Sequence, residues 1–435
     1  MATLILSSLL WILTVDVVVA SGCMEVERNA LLTFKSGLVD PQNLLSSWEG
    51  EDCCKWRGVP CSNTTGHVVK LNLRNRNSYD ILVEECLCLS GEINPALLLL
   101  SKLEHLDLSM NNFSGTSIPA YLGSFENLRY LNLSYAHFSG KIPPQIGNLS
   151  KLHYLDLSFD FTFSGNTLRV DDILWLTRLS SLKYLDMSFV NMNTSTGWLH
   201  AVNMLPSLKV LRLAACSLPG ISTSSSHFNL TTLKVLDLGG NSINSTLPTW
   251  LRNLTSITYL DLSSNEFHGV ISDEFLRLST LDVLSLGYNG FKGLNPKALR
   301  YLCNLTTLDL SRIGFGGEIM EWVEILPQCV RNNLQKPNQG EIAIINELYQ
   351  AILRSNMFSG GIPEKIAQLG SLQVLDLSSN NLSGPLPRSF VSISLDIKGE
   401  ELPILKILYL FESIDLSNNN LSGEIPNEIT DLQTQ

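Results

Sequence analysis

Charged residues are scarce in this chain, and the familiar catalytic motifs are missing. Lys, Arg, Asp and Glu make up 16% of the 435 residues, and the net charge is −11. Nucleic-acid-binding proteins carry basic patches, so this balance argues against a nucleic-acid partner. The sequence has no H-E-x-x-H, no G-x-S-x-G, no phosphate-binding loop, no kinase motif and no zinc-spaced Cys/His set. We therefore expect no enzyme, no metal site and no cofactor.

Long apolar runs are also rare, because only Met1 to Ala20 forms one, and it ends in small residues. Residues 1–22 are therefore predicted to be a secretory signal peptide. An uncleaved membrane anchor is the alternative, although Asp16 inside the run makes a span costly. No other stretch is long and apolar enough to cross a bilayer, so we expect no membrane span in the rest of the chain.

Asn-x-Ser/Thr sequons are plentiful and support export, because such sites are glycosylated in secreted proteins. The predicted glycosylation sites are Asn63, Asn112, Asn132, Asn148, Asn193, Asn229, Asn244, Asn253, Asn304, Asn381 and Asn420. The repeat described next generates some of them by itself. We predict a glycoprotein of the secretory pathway.

The dominant feature is an internal repeat, L-x-x-L-x-L-x-x-N, with a commonest spacing of 24 residues. Its copies start at Val68, Leu103, Leu128, Leu152, Leu182, Leu208, Leu233, Ile257, Leu281, Leu305, Leu348, Leu372 and Phe411. Each copy predicts one short strand whose alternating leucines point inward, and stacked copies share one core. The sequence therefore predicts a solenoid, with a parallel β-sheet on its concave face.

The ninth position of the repeat favours Asn, whose side chain can bond backbone groups at the turn. Positions that lack it are expected to be locally irregular: Ala136, Asp160, Val190 and Ile313. Cys216 also occupies this position. We interpret it as a buried residue of the Asn ladder rather than a reactive thiol.

A second motif follows several strands and reads L-S-G-x-I-P or close to it, as in Phe138 to Pro143 and Leu421 to Pro426. This signature resembles the plant-specific leucine-rich-repeat class. The resemblance implies a right-handed solenoid with a second short strand in each coil.

The start of the mature chain is similar to the plant-type amino-terminal cap of that class, here residues 23–64. Val26, Ala30, Leu31, Phe34 and Leu38 have helical spacing, and a C-C-x-W-x-G-V-x-C run follows from Cys53 to Cys61. The family implies Cys23–Cys53 and Cys54–Cys61 disulfides, which suit an oxidising compartment.

Five cysteines remain outside the cap. Cys303 and Cys329 lie 26 residues apart, close to one coil, and we expect a third disulfide between them, with two unpaired core cysteines as the alternative. Cys86 and Cys88 stay unassigned. Cys216 is the natural one left free.

The repeat weakens towards the end of the chain. The solenoid is predicted over 65–393, with a degenerate turn at 330–346. Residues 394–410 resemble the shortened end of the island segment that interrupts the repeats of plant receptor-like proteins. Residues 411–435 form a last repeat that we expect to be truncated, because the family's carboxy-terminal cap and membrane span are missing. A secreted form with an open end is the alternative.

Ligand contact is expected on outward-facing positions of the concave strands. Tyr130, Tyr154 and Tyr184 lie on consecutive coils, and Tyr259 shares their column. Tyrosines give a large contact area with a polar tip. A column of aspartates lies beside them, broken by Arg212. Because L-x-Y-L-D-L-S is itself repeat consensus, both columns are alternatively explained by packing between strands.

The resemblance implies a non-catalytic ectodomain of a plant receptor-like protein, in defence or developmental signalling. It would bind an extracellular peptide, protein or oligosaccharide and act through a co-receptor kinase at the cell surface, or in the apoplast if this chain is the mature product. There are two alternatives: a secreted protein resembling polygalacturonase inhibitors, and the extracellular fragment of a receptor kinase.

Overall fold

The computed structural model describes most of the chain between residues 22 and 424. The described residues are 22–76, 87–113, 115–159, 168–221, 228, 230–325, 348–368, 372–387, 396–397, 400–401 and 413–424. Residues 1–21 of the predicted signal peptide lie outside them, as do Cys86, Asn229, Cys329 and the predicted turn at 330–346. None of the helices in the described part is long and apolar enough to cross a membrane.

One parallel sheet of thirteen strands runs through the described structure in chain order. Its strands are β1 Lys70–Asn72, β2 His105–Asp107, β3 Tyr130–Asn132, β4 Tyr154–Asp156, β5 Tyr184–Asp186, β6 Val210–Arg212, β7 Val235–Asp237, β8 Tyr259–Asp261, β9 Val283–Ser285, β10 Thr307–Asp309, β11 Gln350–Ile352, β12 Val374–Asp376 and β13 Ser413–Asp415. Each strand begins two residues after a predicted repeat start. The repeat prediction is therefore confirmed coil by coil.

The sheet forms because the middle residue of each strand points into a shared core. Leu106, Leu131, Leu155 and Leu185 have no exposed surface, while their strand neighbours face outward. A fully buried Leu contributes about 2 kcal/mol of hydrophobic stabilisation. No coil can gain this alone, so the coils stack.

Short helices return the chain on the side opposite the sheet. Most are single 3₁₀ turns: Pro95–Leu99, Ala120–Ser124, Pro144–Asn148, Leu174–Arg178, Thr249–Asn253, Phe275–Arg277, Pro296–Tyr301 and Glu364–Gln368. Two α-helices take this place in other coils, α2 at Trp198–Asn203 and α3 at Ile319–Ile325. A 3₁₀ turn rises further per residue than an α-helix, so it crosses the back of a coil with few residues and suits a repeat of about 24.

Second short strands occur in several coils, as the plant-type resemblance implies. They pair in parallel within three groups: Gly140–Lys141 with Leu168–Arg169, His268–Ile271 with Gly290–Leu294, and Gly316–Glu318, Met357–Gly360, Asn381–Gly384 and Asn420–Leu421 in succession. A further pair, Leu38–Val39 and Ser90–Gly91, is antiparallel and joins the cap to the first coils.

The amino-terminal cap closes the first coil with a helix and two disulfides. Helix α1 at Glu25–Ser36 buries Ala30, Leu31 and Phe34. The implied bonds Cys23–Cys53 and Cys54–Cys61 are both present. Val26 was expected on the buried face but is exposed, because it points away from the first coil.

The cap also contains a buried carboxylate. Glu27 is 2% exposed and accepts a hydrogen bond from the Val68 N–H at 2.7 Å, while its other oxygen lies 2.9 Å from His67 Nδ1. These bonds join the helix of the cap to the residues that lead into β1, so the cap and the first coil form one unit.

The Asn ladder links successive coils through their turns. Asn241 Nδ2, for example, donates to the Leu213 carbonyl of the preceding coil at 2.7 Å and to the Leu238 carbonyl of its own coil at 2.9 Å. Its Oδ1 accepts from the N–H groups of Cys216 and Leu218. The Asn side chain thus satisfies buried backbone groups that would otherwise lack partners.

The expected irregularity at ladder positions without Asn is wrong for three of them. The residues before Ala136, Val190 and Ile313 adopt φ values of 52°, 66° and 51°, like the 52° of Ser264 before Asn265. The left-handed turn is therefore kept, since the strand pairing on both sides holds its backbone in place. The fourth position, Asp160, lies outside the described residues.

The repeat has two long spacings, from Leu305 to Leu348 and from Leu372 to Phe411. Neither of them adds a strand to the main sheet. β10 pairs directly with β11, and β12 pairs directly with β13. Asn356 Nδ2 donates to the Leu310 carbonyl at 2.8 Å, so the ladder also crosses the first gap. Within the predicted island, Asp396–Ile397 and Glu400–Glu401 pair as antiparallel strands.

Candidate ligand-binding surface

Two columns of side chains face outward from the concave sheet, because the first and third residues of each strand flank the buried middle one. The tyrosine column is His105, Tyr130, Tyr154, Tyr184, Val210, Val235, Tyr259, Val283 and Thr307. The acidic column beside it is Asp107, Asn132, Asp156, Asp186, Arg212, Asp237 and Asp261. Residues of one column are neighbours across paired strands.

Four rings at the start of the tyrosine column stack face to face. The centroid distances are 4.0 Å for His105–Tyr130, 4.2 Å for Tyr130–Tyr154 and 4.1 Å for Tyr154–Tyr184. The planes of successive rings are tilted by 10°, 12° and 11°. The inner rings therefore cover each other's faces and present their edges outward.

Tyr259 does not belong to this stack. Val210 and Val235 lie between it and Tyr184, and it makes no ring contact among the described residues. The four tyrosines predicted as ligand-binding residues thus divide into a block of three and a separate single ring.

The tyrosine hydroxyls point towards the acidic column. Tyr154 donates to Asp156 Oδ2 at 3.2 Å and Tyr184 to Asp186 Oδ2 at 3.4 Å. Burial, together with the neighbouring aspartates, raises the pKa of Tyr154 well above its usual value and that of Tyr184 to about 12. These hydroxyls therefore remain neutral donors at physiological pH.

The acidic column has a structural task as well. Asp156 Oδ1 accepts from the N–H and the hydroxyl of Ser158 at 3.1 and 2.7 Å, and Asp107 holds Ser109 in the same way. Burial raises the pKa of Asp156 and brings that of Asp237 to about 6. In Asp107 and Asp156, one carboxylate oxygen binds the serine two residues further on, where the strand ends. The other oxygen is left for other contacts.

Arg212 is the one cation of the acidic column as defined above. Strand register places it between Asp186 and Asp237. Its buried Nε has no hydrogen-bond partner among the described residues. The sequence signal for this feature was the interruption of the aspartates, which does not by itself reveal that Nε lacks a partner.

The sequons differ in exposure. Eight of their asparagines are exposed: Asn63, Asn148, Asn193, Asn244, Asn253, Asn304, Asn381 and Asn420. Asn112 is half-buried. Asn132 is only 3% exposed, and its Oδ1 accepts from Ser134 N–H and Oγ at 3.0 and 2.7 Å. It therefore takes the place of an aspartate in the acidic column.

The remaining cysteines fall into two groups. Cys88 and Cys303 are both disulfide-bonded, and their partners lie outside the described residues, as does the predicted partner Cys329. Cys216 is free and buried, as predicted. Burial raises the pKa of its thiol well above the usual range, so the residue has no thiolate character.

Comparisons with known families agree with this architecture. The family model for the leucine rich repeat N-terminal domain matches residues 24–62. Leucine rich repeat models match residues 206–267 and four single repeats at 102–125, 127–149, 371–393 and 411–432. The chain is a leucine-rich-repeat solenoid with a plant-type cap.

The curated relatives of this leucine-rich-repeat chain include plant receptor-like proteins. It is 37% identical over 264 residues to receptor-like protein EIX1 of Solanum lycopersicum, and 31% identical over 275 residues to receptor-like protein 6 of Arabidopsis thaliana. Each match covers 58% of this chain, and 25% and 26% of the relatives. The chain therefore spans about a quarter of the length of the relatives it matches.

Solved structures show the same fold. A TDR receptor aligns with a TM-score of 0.56 and 24% identity, over 86% of this chain and 68% of that one. A leucine-rich-repeat protein of Leptospira interrogans aligns with a TM-score of 0.54 and 23% identity, over 79% and 86%.

Proposed function

We propose that this chain is a non-catalytic ligand-recognition ectodomain of the plant receptor-like type, and that its tyrosine and acidic columns contact the ligand. The observation that carries the proposal is the block of stacked rings from Tyr130 to Tyr184 on an open sheet face. The hydroxyls of Tyr154 and Tyr184 donate to carboxylates beside them, and that of Tyr130 accepts from the Asn132 amide. Exposed aromatic edges beside hydrogen-bonding groups are typical of recognition surfaces.

The similarity to receptor-like proteins supports the same function. The ligand class is an extracellular peptide, protein or oligosaccharide, and the signal passes through a co-receptor kinase. The chain passes through the secretory pathway and acts on the extracellular side of the plasma membrane. The disulfide-bonded cap and the exposed sequon asparagines fit that location.

Binding from extracellular fluid tests the proposal. The secreted chain is immobilised and compared with the triple variant Tyr130→Phe, Tyr154→Phe, Tyr184→Phe, which keeps the stacked rings and loses the three hydroxyls. Leu174→Ala on the helical side of the solenoid is the matched control. A component that is retained by the wild type and by Leu174→Ala, and rebinds at least about 5-fold more weakly to the triple variant, supports the proposal.

Equal rebinding to all three proteins contradicts it. Secretion level and thermal midpoint of each variant are measured alongside, so that a folding defect is not read as lost recognition.

A further inference from the structure

A third row of side chains runs along the edge of the main sheet, at the residue just before each strand. From β2 to β9 its members are Glu104, Arg129, His153, Lys183, Lys209, Lys234, Thr258 and Asp282. The backbone N–H of each member donates to the carbonyl oxygen of the member before it, at 2.7 or 2.8 Å. Successive members are therefore neighbours on adjacent coils, about 4.8 Å apart.

The centre of this edge row holds three lysines on consecutive coils, Lys183, Lys209 and Lys234, which we call the lysine row. All three side chains are exposed. None of the ion pairs found in the described part of the chain involves them. Like charges at opposite positions of neighbouring strands destabilise a sheet. The fold thus keeps an unfavourable arrangement of charge at this edge.

The sequence around the lysine row does not compensate this charge. The outward position before each lysine carries a hydroxyl, and the position after it belongs to the tyrosine column; these residues are Ser181, Ser207 and Thr232, and Tyr184, Val210 and Val235. Acidic residues are not in short supply, since the chain has 41 of them against 30 Lys and Arg. An unfavourable local arrangement that is left uncompensated is typical of a functional site.

The positive charge of the edge row is concentrated on the three lysines. Arg129 forms an ion pair with Glu104 at 3.6 Å, so its charge is partly balanced. Partial burial, followed by the charges of Lys183 and Arg129, lowers the pKa of His153, so this imidazole is neutral at pH 7. The effect on His153 also shows that the field of the lysine row reaches the neighbouring coil.

The spacing of the lysine row restricts which polyanion fits it. Residues on one side of an extended peptide are about 6.6 Å apart, so acidic side chains at that distance fall out of step with lysines about 4.8 Å apart. A linear polyuronate carries one carboxylate on every sugar ring, and each ring advances the polymer by about one strand spacing. Its ring hydroxyls also match the hydroxyls of Ser181 and Ser207 beside the lysines.

We propose that the lysine row binds a linear acidic polysaccharide of the polyuronate type, with successive carboxylates beside Lys183, Lys209 and Lys234. The polymer lies across the strands, along the edge of the main sheet. This site is separate from the ligand surface proposed above, because none of the three lysines belongs to the tyrosine or the acidic column.

Polygalacturonate is the probe that tests this site, and its fully methyl-esterified form has the same backbone without the charges. Affinity for the full secreted chain is measured at several NaCl concentrations. The test variant replaces all three lysines of the row by Gln. The matched control makes the same change in net charge at three exposed lysines outside the row, Lys102→Gln, Lys292→Gln and Lys297→Gln.

We expect polygalacturonate to bind the wild type and the methyl ester to leave no measurable signal. The row variant should bind at least about 10-fold more weakly, and the control variant should change affinity by less than about 2-fold. Because lysines release counterions from a linear polyanion, the affinity of the row variant should also fall less steeply with salt. Its thermal midpoint should equal or exceed that of the wild type, since repulsion between the lysines is removed.

Several results would overturn the inference. They are no binding of polygalacturonate, equal losses in the row and control variants, and equal binding of the methyl ester. Poly-glutamate that binds more tightly than polygalacturonate, and is lost in the row variant, assigns the row to an acidic polypeptide instead.

The triple Phe variant at Tyr130, Tyr154 and Tyr184 separates this site from the proposed function. It should bind polygalacturonate as the wild type does. Polygalacturonate binding that is lost in the triple Phe variant and kept in the row variant places the polysaccharide on the tyrosine column, which rejects the lysine row and leaves the proposed ligand surface intact.

Discussion

The thiol of Cys216 donates to the carbonyl oxygen of Met187 in the preceding coil at 3.1 Å. Asn241 makes the equivalent bond one coil later, from Nδ2 to the Leu213 carbonyl. The cysteine therefore fills an Asn position of the ladder, but it donates through a weaker group and brings no amide oxygen to accept from the coil before it.

We predict that Cys216→Asn stabilises the solenoid by about 0.5–1.5 kcal/mol, the net value of an ordinary hydrogen bond, and that Cys216→Ala destabilises it by about 1 kcal/mol. Urea unfolding followed by tryptophan fluorescence measures both. The left-handed turn at Ala215, with φ of 52°, matches the φ of 52° at Ser264 before the ladder residue Asn265. A Cys216→Asn protein less stable than the wild type would contradict the ladder interpretation of this residue.

The stack gives Tyr154 two ring partners, whereas Tyr259 has none among the described residues. An aromatic pair contributes about 0.5–1.5 kcal/mol beyond the area it buries. We therefore predict that Tyr154→Ala costs about 2–4 kcal/mol of unfolding free energy and Tyr259→Ala about 1 kcal/mol, measured by urea titration. The two residues occupy the same column, so the difference reports the ring contacts together with the hydrogen bond from Tyr154 to Asp156. Equal losses would mean that the stack contributes no stability.

The main sheet could be predicted from the sequence because each of its strands is encoded by local spacing. The leucine pattern fixes which residues face inward, and the thirteen predicted starts match the thirteen strands of the described sheet. The cap and its disulfides came instead from a family resemblance, since cysteine positions alone do not determine their pairing.

Other features depend on contacts between coils, which the repeat pattern does not encode. The column positions of Tyr130, Tyr154 and Tyr184 were predictable, but the face-to-face stacking that hides the ring faces was not. The same is true of Arg212, whose Nε is seen to lack a partner among the described residues only when its neighbours are placed. The turns at Ala136 and Val190 keep their shape because the sheet on either side holds them, a tertiary effect that outweighs the absent Asn.

Burial raises the pKa of Asp237 from 3.8 to about 6, so the folded protein holds this proton more tightly than the unfolded chain. Below pH 3.8 both states are protonated, and above about 6 both are ionised. Between these values the folded state binds more protons, so the contribution of Asp237 to stability falls as pH rises through this window. The full change is about 1–3 kcal/mol, allowing for partial solvent screening.

We predict that Asp237→Asn flattens this part of the pH dependence and raises the urea midpoint at pH 7, where the wild type carries the whole burial penalty. The Gly239 N–H can still donate to the Asn oxygen, as it does to Asp237 Oδ1 at 3.0 Å. Asp415→Asn is an opposite-sign control, because the N–H of Ser417 lowers the pKa of that exposed carboxyl. If the urea midpoints of Asp237→Asn and the wild type change in parallel from pH 4 to 7, the pKa of Asp237 is not raised to about 6, and the prediction fails.

Asn132 carries a sequon but has its side chain committed to the sheet. Its Oδ1 accepts from the N–H and the hydroxyl of Ser134 at the end of β3, and its Nδ2 donates to the Tyr130 hydroxyl at 3.3 Å. A glycan on Nδ2 would have to leave through the stacked tyrosines and disrupt them. We predict that glycopeptide mass spectrometry of the secreted chain finds Asn132 unmodified, while the exposed Asn148 and Asn253 carry glycans.

The matched variant for this prediction is Asn132→Asp, which removes the sequon and restores the residue found at Asp107 and Asp156 in the same column. Its Oδ1 keeps the bonds from Ser134, so secretion and thermal midpoint should equal those of the wild type. Asn132→Leu removes the same sequon but leaves the buried Ser134 N–H and hydroxyl without their acceptor, which should cost about 1–3 kcal/mol. If Asn132→Asp instead lowers secretion as much as Asn132→Leu does, the asparagine is needed as a glycosylation site rather than as the acceptor for Ser134.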